Sequence, residues 1–170
     1  MVNWLQKVIT AGQKIKTAFH ERVTKEDIVK SDWTSCCKGP ILKKDLENNL
    51  FVCASCNKHH YISPTQRFDI MFGKNNWQKI DSPHPPPDPY LWQDTKKYTD
   101  RLKDAKKITG QDNAILSCEA KINNIDVVVS AVNFKFIGGS ISMAEGENVL
   151  ASIQVAIDKK CPYIFISASG

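Results

Sequence analysis

Residues 114–140, AILSCEAKINNIDVVVSAVNFKFIGGS, decide the fold. Ala114 to Ile122 and Ile125 to Phe134 read as strands flanking Asn123 and Asn124, a pair that tolerates the positive φ angles of a tight hairpin turn. Val127, Val128, Val129, Ala131 and Val132 form a nearly continuous apolar run, the texture of a strand buried on both faces. Phe136, Ile137, Gly138, Gly139 and Ser140 then interrupt the chain before a helical pattern over about 143 to 159, which carries Val149, Leu150, Ile153, Val155, Ala156 and Ile157. Another buried strand follows, Tyr163 to Ala168. The order strand, strand, glycine turn, helix, strand predicts an α/β domain. Ligands of open α/β sheets collect beyond the carboxyl ends of strands, so a chain ending at Gly170 leads us to expect an incomplete domain.

Upstream, Ser63, Pro64 and Gln66 match a capping box with proline at the first helical position, predicting a helix over about 64 to 72 with Phe68, Ile70, Met71 and Phe72 as its apolar surface. Residues 81 to 90, DSPHPPPDPY, exclude a helix or central strand because proline removes donors, and they read as an ordered surface connection. Asp94 is expected to cap a helix carrying Tyr98, Leu102 and Ala105, ended by Thr109 and Gly110.

Residues 33–61 have a different texture, rich in Cys, Gly, Asn and His. Cys53 and Cys56 stand three apart, as two thiolates on one tight turn do, and Cys37 precedes Cys53 at the spacing of a four-cysteine zinc ribbon. The first pair is contracted to adjacent Cys36 and Cys37. Three outcomes follow from that: a distorted first turn that keeps both cysteines, recruitment of His59 or His60 as fourth ligand, or loss of the metal. Four protein ligands leave no open coordination position, so the metal role is structural. Cys118 and Cys161, in apolar strand-like surroundings, read as buried core thiols.

The N-terminal segment places Trp4, Leu5, Val8, Ile9, Ile15 and Phe19 at roughly helical intervals, an amphipathic arm over 3 to about 19, followed by a charged connector to residue 32. A basic helix of this kind can touch a membrane or carry a targeting signal, but an arm packed on its own protein is the commoner arrangement. With 170 residues, 42% hydrophobic and 24% charged, the composition is that of a soluble globular chain of one domain, or of one domain plus a small module. No apolar stretch approaches the ~20 residues of a bilayer-spanning helix and no secretory signal begins the chain, so a cytoplasmic location without membrane association is expected. The formal net charge of +5 mildly favours an anionic partner. A zinc-ribbon nucleic-acid-binding module on an α/β scaffold is therefore the competing reading, although the ribbon lacks an interleaved aromatic and basic face.

Gly138-Gly139-Ser140 at a strand–helix junction lets backbone approach a ligand closely and offers amides to a developing oxyanion or a phosphate, while turn geometry and close packing use glycine in the same place. No G-x-G-x-x-G or Walker pattern accompanies it.

Several segments in order, WTSCC, LENNLFVCASCNKHH, DTKKYTDRLKDAKKITG, NFKFIGGS, EGEN and SASG, resemble one family from Trp33 to Gly170: the beta subunit of bacterial acetyl-coenzyme A carboxylase carboxyltransferase. After the N-terminal amphipathic arm and connector (1–32), the resemblance implies a zinc ribbon (33–61) and the first part of a crotonase-like (ClpP/crotonase) domain of strand-strand-helix units (62–170). It also implies carboxyl transfer from carboxybiotin on the biotin carboxyl carrier protein to acetyl-CoA, giving malonyl-CoA for fatty acid synthesis. Zinc would sit on Cys36, Cys37, Cys53 and Cys56. Gly138, Gly139 and Ser140 would contact substrate, and Gly170 would begin a second glycine pair whose amides form an oxyanion hole. The implied partners are an alpha subunit in an alpha2beta2 heterotetramer, the carrier protein and biotin carboxylase.

In this chemistry the released biotin nitrogen takes the acetyl proton and the thioester enolate attacks carbon dioxide, so no side-chain nucleophile is needed. Glu145 and Glu147 accordingly fit a helix N-terminal region better than acid-base work. Three departures from the family stand out: adjacent Cys36-Cys37, Ile141-Ser142 where Met-Gly is usual, and the end at Gly170, from which inactivity of the 170 residues alone is expected.

Overall fold

The computed structural model describes residues 32–36 and 39–168, and these divide into two compact units, one within 1–61 and one within 62–170. The amphipathic helix expected over 3 to about 19, the connector up to residue 31, Cys37 and Gly170 lie outside the described residues.

The first unit pairs β1 (Trp33–Cys36) with β2 (Gly39–Leu42) antiparallel, from Trp33 opposite Leu42 to Cys36 opposite Gly39. Gly39 has φ 117°, a conformation closed to side-chain-bearing residues. Helix α1 (Lys43–Asn48) follows at once and turns Leu46 inward, where Leu46, Phe51 and Cys53 are buried. The amide of Phe51 donates to the Leu46 carbonyl at 2.7 Å and closes the end of α1.

The second unit is a mixed sheet with strand order β3-β4-β5-β6, built from β3 (Trp77–Lys79), β4 (Ile115–Ile122), β5 (Ile125–Val132) and β6 (Tyr163–Ile166). β4 and β5 form the expected hairpin, with Asn123 and Asn124 at φ 50° and 68°, both in the left-handed region that a two-residue turn demands. β5 and β6 are parallel, joined through a one-turn 3-10 helix (Ile137–Gly139) and α4 (Met143–Lys159). Every residue from Val127 to Val132 is buried, because helices cover both faces of β5.

On one face α2 (Pro64–Phe72) inserts Phe68 among Leu116, Cys118, Val127, Val129 and Ala131. Phe68 also meets Trp77 edge-on, with centroids 5.3 Å apart. Ser63 caps α2 with the reciprocal Gln66 box that the sequence predicts. On the other face α4 packs on β4 and β5, and α3 (Tyr98–Thr109) lies by the 3-10 turn, burying Ala105 with Ala114 and Phe136. α3 ends at Gly110 in the left-handed conformation, as expected.

Three expectations are corrected. Asp94 does not cap α3: Lys97 occupies that position, and the Asp94 carboxylate instead accepts the Lys96 amide at 2.9 Å and Arg101 Nη2 at 2.7 Å. β6 is half-buried with Phe165 exposed, because within the described residues it lies at the sheet edge. Cys161 is only partly buried, since it sits in the turn between α4 and β6, whereas Cys118 at the centre of β4 is fully enclosed.

Candidate functional site

The first unit brings three of the four sequence-predicted thiols together. Cys36 comes from the end of β1, whereas Cys53 and Cys56 come from a tight turn closed by the Asn57 amide donating to the Cys53 carbonyl at 2.8 Å. Asn57 takes φ 57°, which asparagine tolerates, and the Cys53 amide donates to the Lys58 carbonyl at 2.9 Å. The Sγ atoms of Cys36, Cys53 and Cys56 all lie within 4.8 Å of one another, with Cys36 and Cys56 at 3.4 Å. Four sulfurs around a tetrahedral zinc at about 2.3 Å stand about 3.8 Å apart, so this spread fits such an ion. The group is consistent with a zinc ribbon. His59 is exposed and paired through backbone with Val52, and neither His59 nor His60 joins the thiol group.

In the second unit Gly139 of the glycine turn is held by close packing, whereas Gly138 supplies a left-handed backbone with open space beside it. Gly138 and Gly139 have φ 64° and 73°, and Gly139 lies against the Ala168 carbonyl after β6. The Gly139 amide donates to the Phe136 carbonyl at 2.9 Å and the Ser140 amide to the Ile137 carbonyl at 3.2 Å. Those two amides close the turn.

Beside this turn lies a cavity of about 590 Å³. Its walls are the proline-rich strap (Pro83–Tyr90), the inner side of α3 with Tyr98, Arg101 and Leu102, and the start of α4 with Ser142, Met143 and Glu145. Ser140 reaches the wall, and most of the lining is apolar. The cations there are paired: Arg101 with Asp94, and Lys106 with Asp112 at 3.1 Å. Arg101 holds the Asp94 carboxyl down to about 2, helped by the Lys96 amide.

A polar network that the sequence reading missed locks α4 onto the sheet. Glu145 is buried, and its carboxylate accepts the Ala114 amide at 2.8 Å and the Ser142 amide at 3.0 Å, completing a capping box with Ser142. One turn on, Asn148 donates to the Ile115 carbonyl at 3.0 Å and accepts the Ser117 hydroxyl at 2.5 Å, while Ser117 and Ser130 pair across β4 and β5 at 2.7 Å. A signal for the serine pair was present: each lies six residues from its side of the Asn123-Asn124 turn, so a two-residue hairpin must set them opposite. The acidic position expected at the start of α4 is Glu145, whereas Glu147 is exposed.

Fold and site together define a mixed α/β protein with a small unit whose three clustered thiols could hold a metal ion. The chain is similar, over 169 residues and 99% of its length, to the acetyl-coenzyme A carboxylase carboxyl transferase subunit beta of Pelagibacter ubique, at 53% identity and covering 55% of that protein. The subunits of the same name from Beijerinckia indica and Dinoroseobacter shibae are 36% and 34% identical over 171 residues, with 57% and 52% of their lengths covered. The chain is thus a homologue of carboxyl transferase beta subunits, and it spans about half the length of the curated relatives it matches. No family model matches it. Among the described residues, no helix is long and apolar enough to cross a membrane.

Proposed function

We propose that the chain acts as part of the carboxyltransferase beta subunit of acetyl-CoA carboxylase, which moves a carboxyl group from carboxybiotin on a carrier protein to acetyl-CoA and yields malonyl-CoA. The observation that carries this is similarity along 99% of the chain to several proteins that bear one name. The thiol module followed by a strand, strand, turn, helix, strand unit supports the same reading, and we assign that unit to a crotonase-like domain.

In this proposal Cys36, Cys53 and Cys56, with Cys37 as the fourth ligand, hold a structural zinc. The metal cross-links a module whose buried apolar side chains are few. Acetyl-CoA enters the cavity beside the glycine turn, where an apolar wall of ordinary ligand-site size can exclude water from a developing enolate. Ser140 lies at that wall. Gly138 and Gly139 shape the turn, and Gly170 contributes an amide to the enolate oxygen; loss of one such donor typically costs ~3 kcal/mol of barrier. Glu145 acts by holding backbone amides and does not shuttle protons. An alpha subunit, the biotin carboxyl carrier protein and biotin carboxylase complete the pathway, in a cytoplasmic alpha2beta2 assembly.

The test is carboxyl transfer to acetyl-CoA by a beta subunit of the relatives' full length that contains these 170 residues, assembled with an alpha subunit, with zinc content read on the same sample. Malonyl-CoA formation with one zinc per chain is expected. An assembled, zinc-loaded enzyme that forms no malonyl-CoA overturns the reading.

A further inference from the structure

We infer that Asn148 and Ser82 together form a clamp that sets the position of the proline-rich strap, making them positioning residues for the cavity that the strap walls. The inference rests on the acyl-CoA reading of that cavity.

The strap leaves the sheet just after β3, where the Ile80 amide donates to the Ser117 carbonyl at 2.9 Å, the last ladder bond in that direction. Beyond it come Pro83, Pro85, Pro86, Pro87 and Pro89, which have no amide hydrogen, so no strand ladder or helix can hold this wall. The Leu91 and Trp92 amides donate to Asp88, but those bonds lie within the strap's own turn. Among the described residues, Ser82 joins the start of the strap to α4 through a side-chain hydrogen bond: its hydroxyl accepts from Asn148 Nδ2.

Asn148 suits this role because all its polar atoms are engaged. The oxygen accepts the Ser117 hydroxyl at 2.5 Å, and Nδ2 serves both the Ile115 carbonyl at 3.0 Å and Ser82. The side chain is 2% exposed, so no water competes for these contacts. An amide that touches β4, α4 and the strap at once transmits the position of the sheet to the cavity wall. Glu145, one turn earlier on α4, lines the cavity and accepts the Ala114 and Ser142 amides.

Ser82→Ala removes the tether and leaves the buried Asn148 contacts to β4 in place, while Ser82→Thr keeps the hydroxyl. In a beta subunit of the relatives' full length that contains these residues, assembled with an alpha subunit, Ser82→Ala should raise KM for acetyl-CoA by about three- to tenfold, the worth of one neutral hydrogen bond, with a smaller change in kcat. Ser82→Thr should restore KM. Amide exchange at Leu91 and Trp92, whose amides are held on Asp88, should accelerate in Ser82→Ala and not in Ser82→Thr, while exchange in the β4–β5 hairpin stays at the wild-type rate. Leu91 and Trp92 exchange that stays at the wild-type rate overturns the clamp, whatever the enzyme does. Faster exchange with an unchanged KM overturns the positioning role while the acyl-CoA reading stands; a wild-type enzyme without acetyl-CoA dependence overturns both.

Discussion

Gly139 lies so close to Ala168 that a Cβ on it would stand 2.0 Å from the Ala168 carbonyl oxygen and 3.0 Å from Val132 Cγ1. Two segments that are distant in sequence, the turn before α4 and the chain after β6, meet there without side-chain atoms between them. Neighbouring Gly138 has a similar φ of 64° but open space where its Cβ would be. The two glycines therefore serve different ends. Gly138→Ala should cost about 1 kcal/mol, the left-handed penalty alone. Gly139→Ala should cost more than about 2 kcal/mol, because the carbonyl must also move. Urea denaturation of both variants checks the order, and equal losses would sink the packing account.

The legible part of this fold was its local chemistry. Ser63 with Gln66, Asn123 with Asn124, and Gly110 each encode a turn or cap within a few residues, and each is where the sequence placed it. β3 was illegible because three residues carry no period, and they become a strand only by pairing Trp77 with Ala120. The polar network was hidden for another reason. Ser117, Ser130 and Asn148 sit in apolar patterns where polar residues ordinarily face water, and only the register that stacks α4 over the hairpin turns them inward. Asp94 misled because its carboxylate has two local suitors, the helix start and Arg101, and a guanidinium–carboxylate bond is the stronger. The thiol group was legible by spacing alone for Cys53 and Cys56, while Cys36 joins them through the β1–β2 pairing.

Ser117 and Ser130 share one hydrogen bond and lean on Asn148. Ser117→Ala leaves the Asn148 oxygen and Ser130 each short of a partner inside the core, which costs about 1–3 kcal/mol. Ser117→Ala with Ser130→Ala together should cost less than the sum of the single changes, because the second substitution removes an already orphaned hydroxyl. A double-mutant cycle by urea denaturation measures this, and strict additivity would disprove the coupling.

Metal removal should act on the first unit alone. Chelation is expected to release one zinc per chain and to unfold residues 32–61, whose buried side chains Leu46, Phe51 and Cys53 are too few to hold it. Cys56→Ser should abolish stoichiometric zinc, and His59→Ala should leave it unchanged because the exposed His59 stands outside the thiol group. Metal analysis of both variants decides the ligand set.

The Asp94–Arg101 pair predicts an acid-sensitive arm at the cavity edge. Asp94 is depressed from 3.8 to about 2 in the folded chain, chiefly by the Arg101 hydrogen bonds, so its contribution is complete above the unfolded value and is lost as pH falls from about 4 through about 2. Following the Trp92 fluorescence between pH 5 and pH 2 should reveal a transition that Asp94→Asn flattens, since Trp92 packs edge-on against Tyr98 in the same wall. A transition that survives in Asp94→Asn would assign it to other carboxylates.

Cys118 and Cys161 should separate by reactivity. Burial pushes the Cys118 thiol up to about 12, with the neighbouring Glu119 charge adding to the shift, and no exposed surface remains for a reagent. Its folded value lies above the ordinary 9.0, so the stability linked to it is fully present below pH 9 and is lost as pH rises toward 12. At pH 8 a disulfide reagent should therefore label partly exposed Cys161 within minutes and reach Cys118 only on unfolding. With zinc bound to protect the thiols of the first unit, titration in native buffer should count Cys161 alone, and denaturant should add Cys118 together with the thiols of the first unit. Native labelling of Cys118 at the rate of Cys161 would mean that the contact of Phe68 with the sheet opens far more readily than its burial implies.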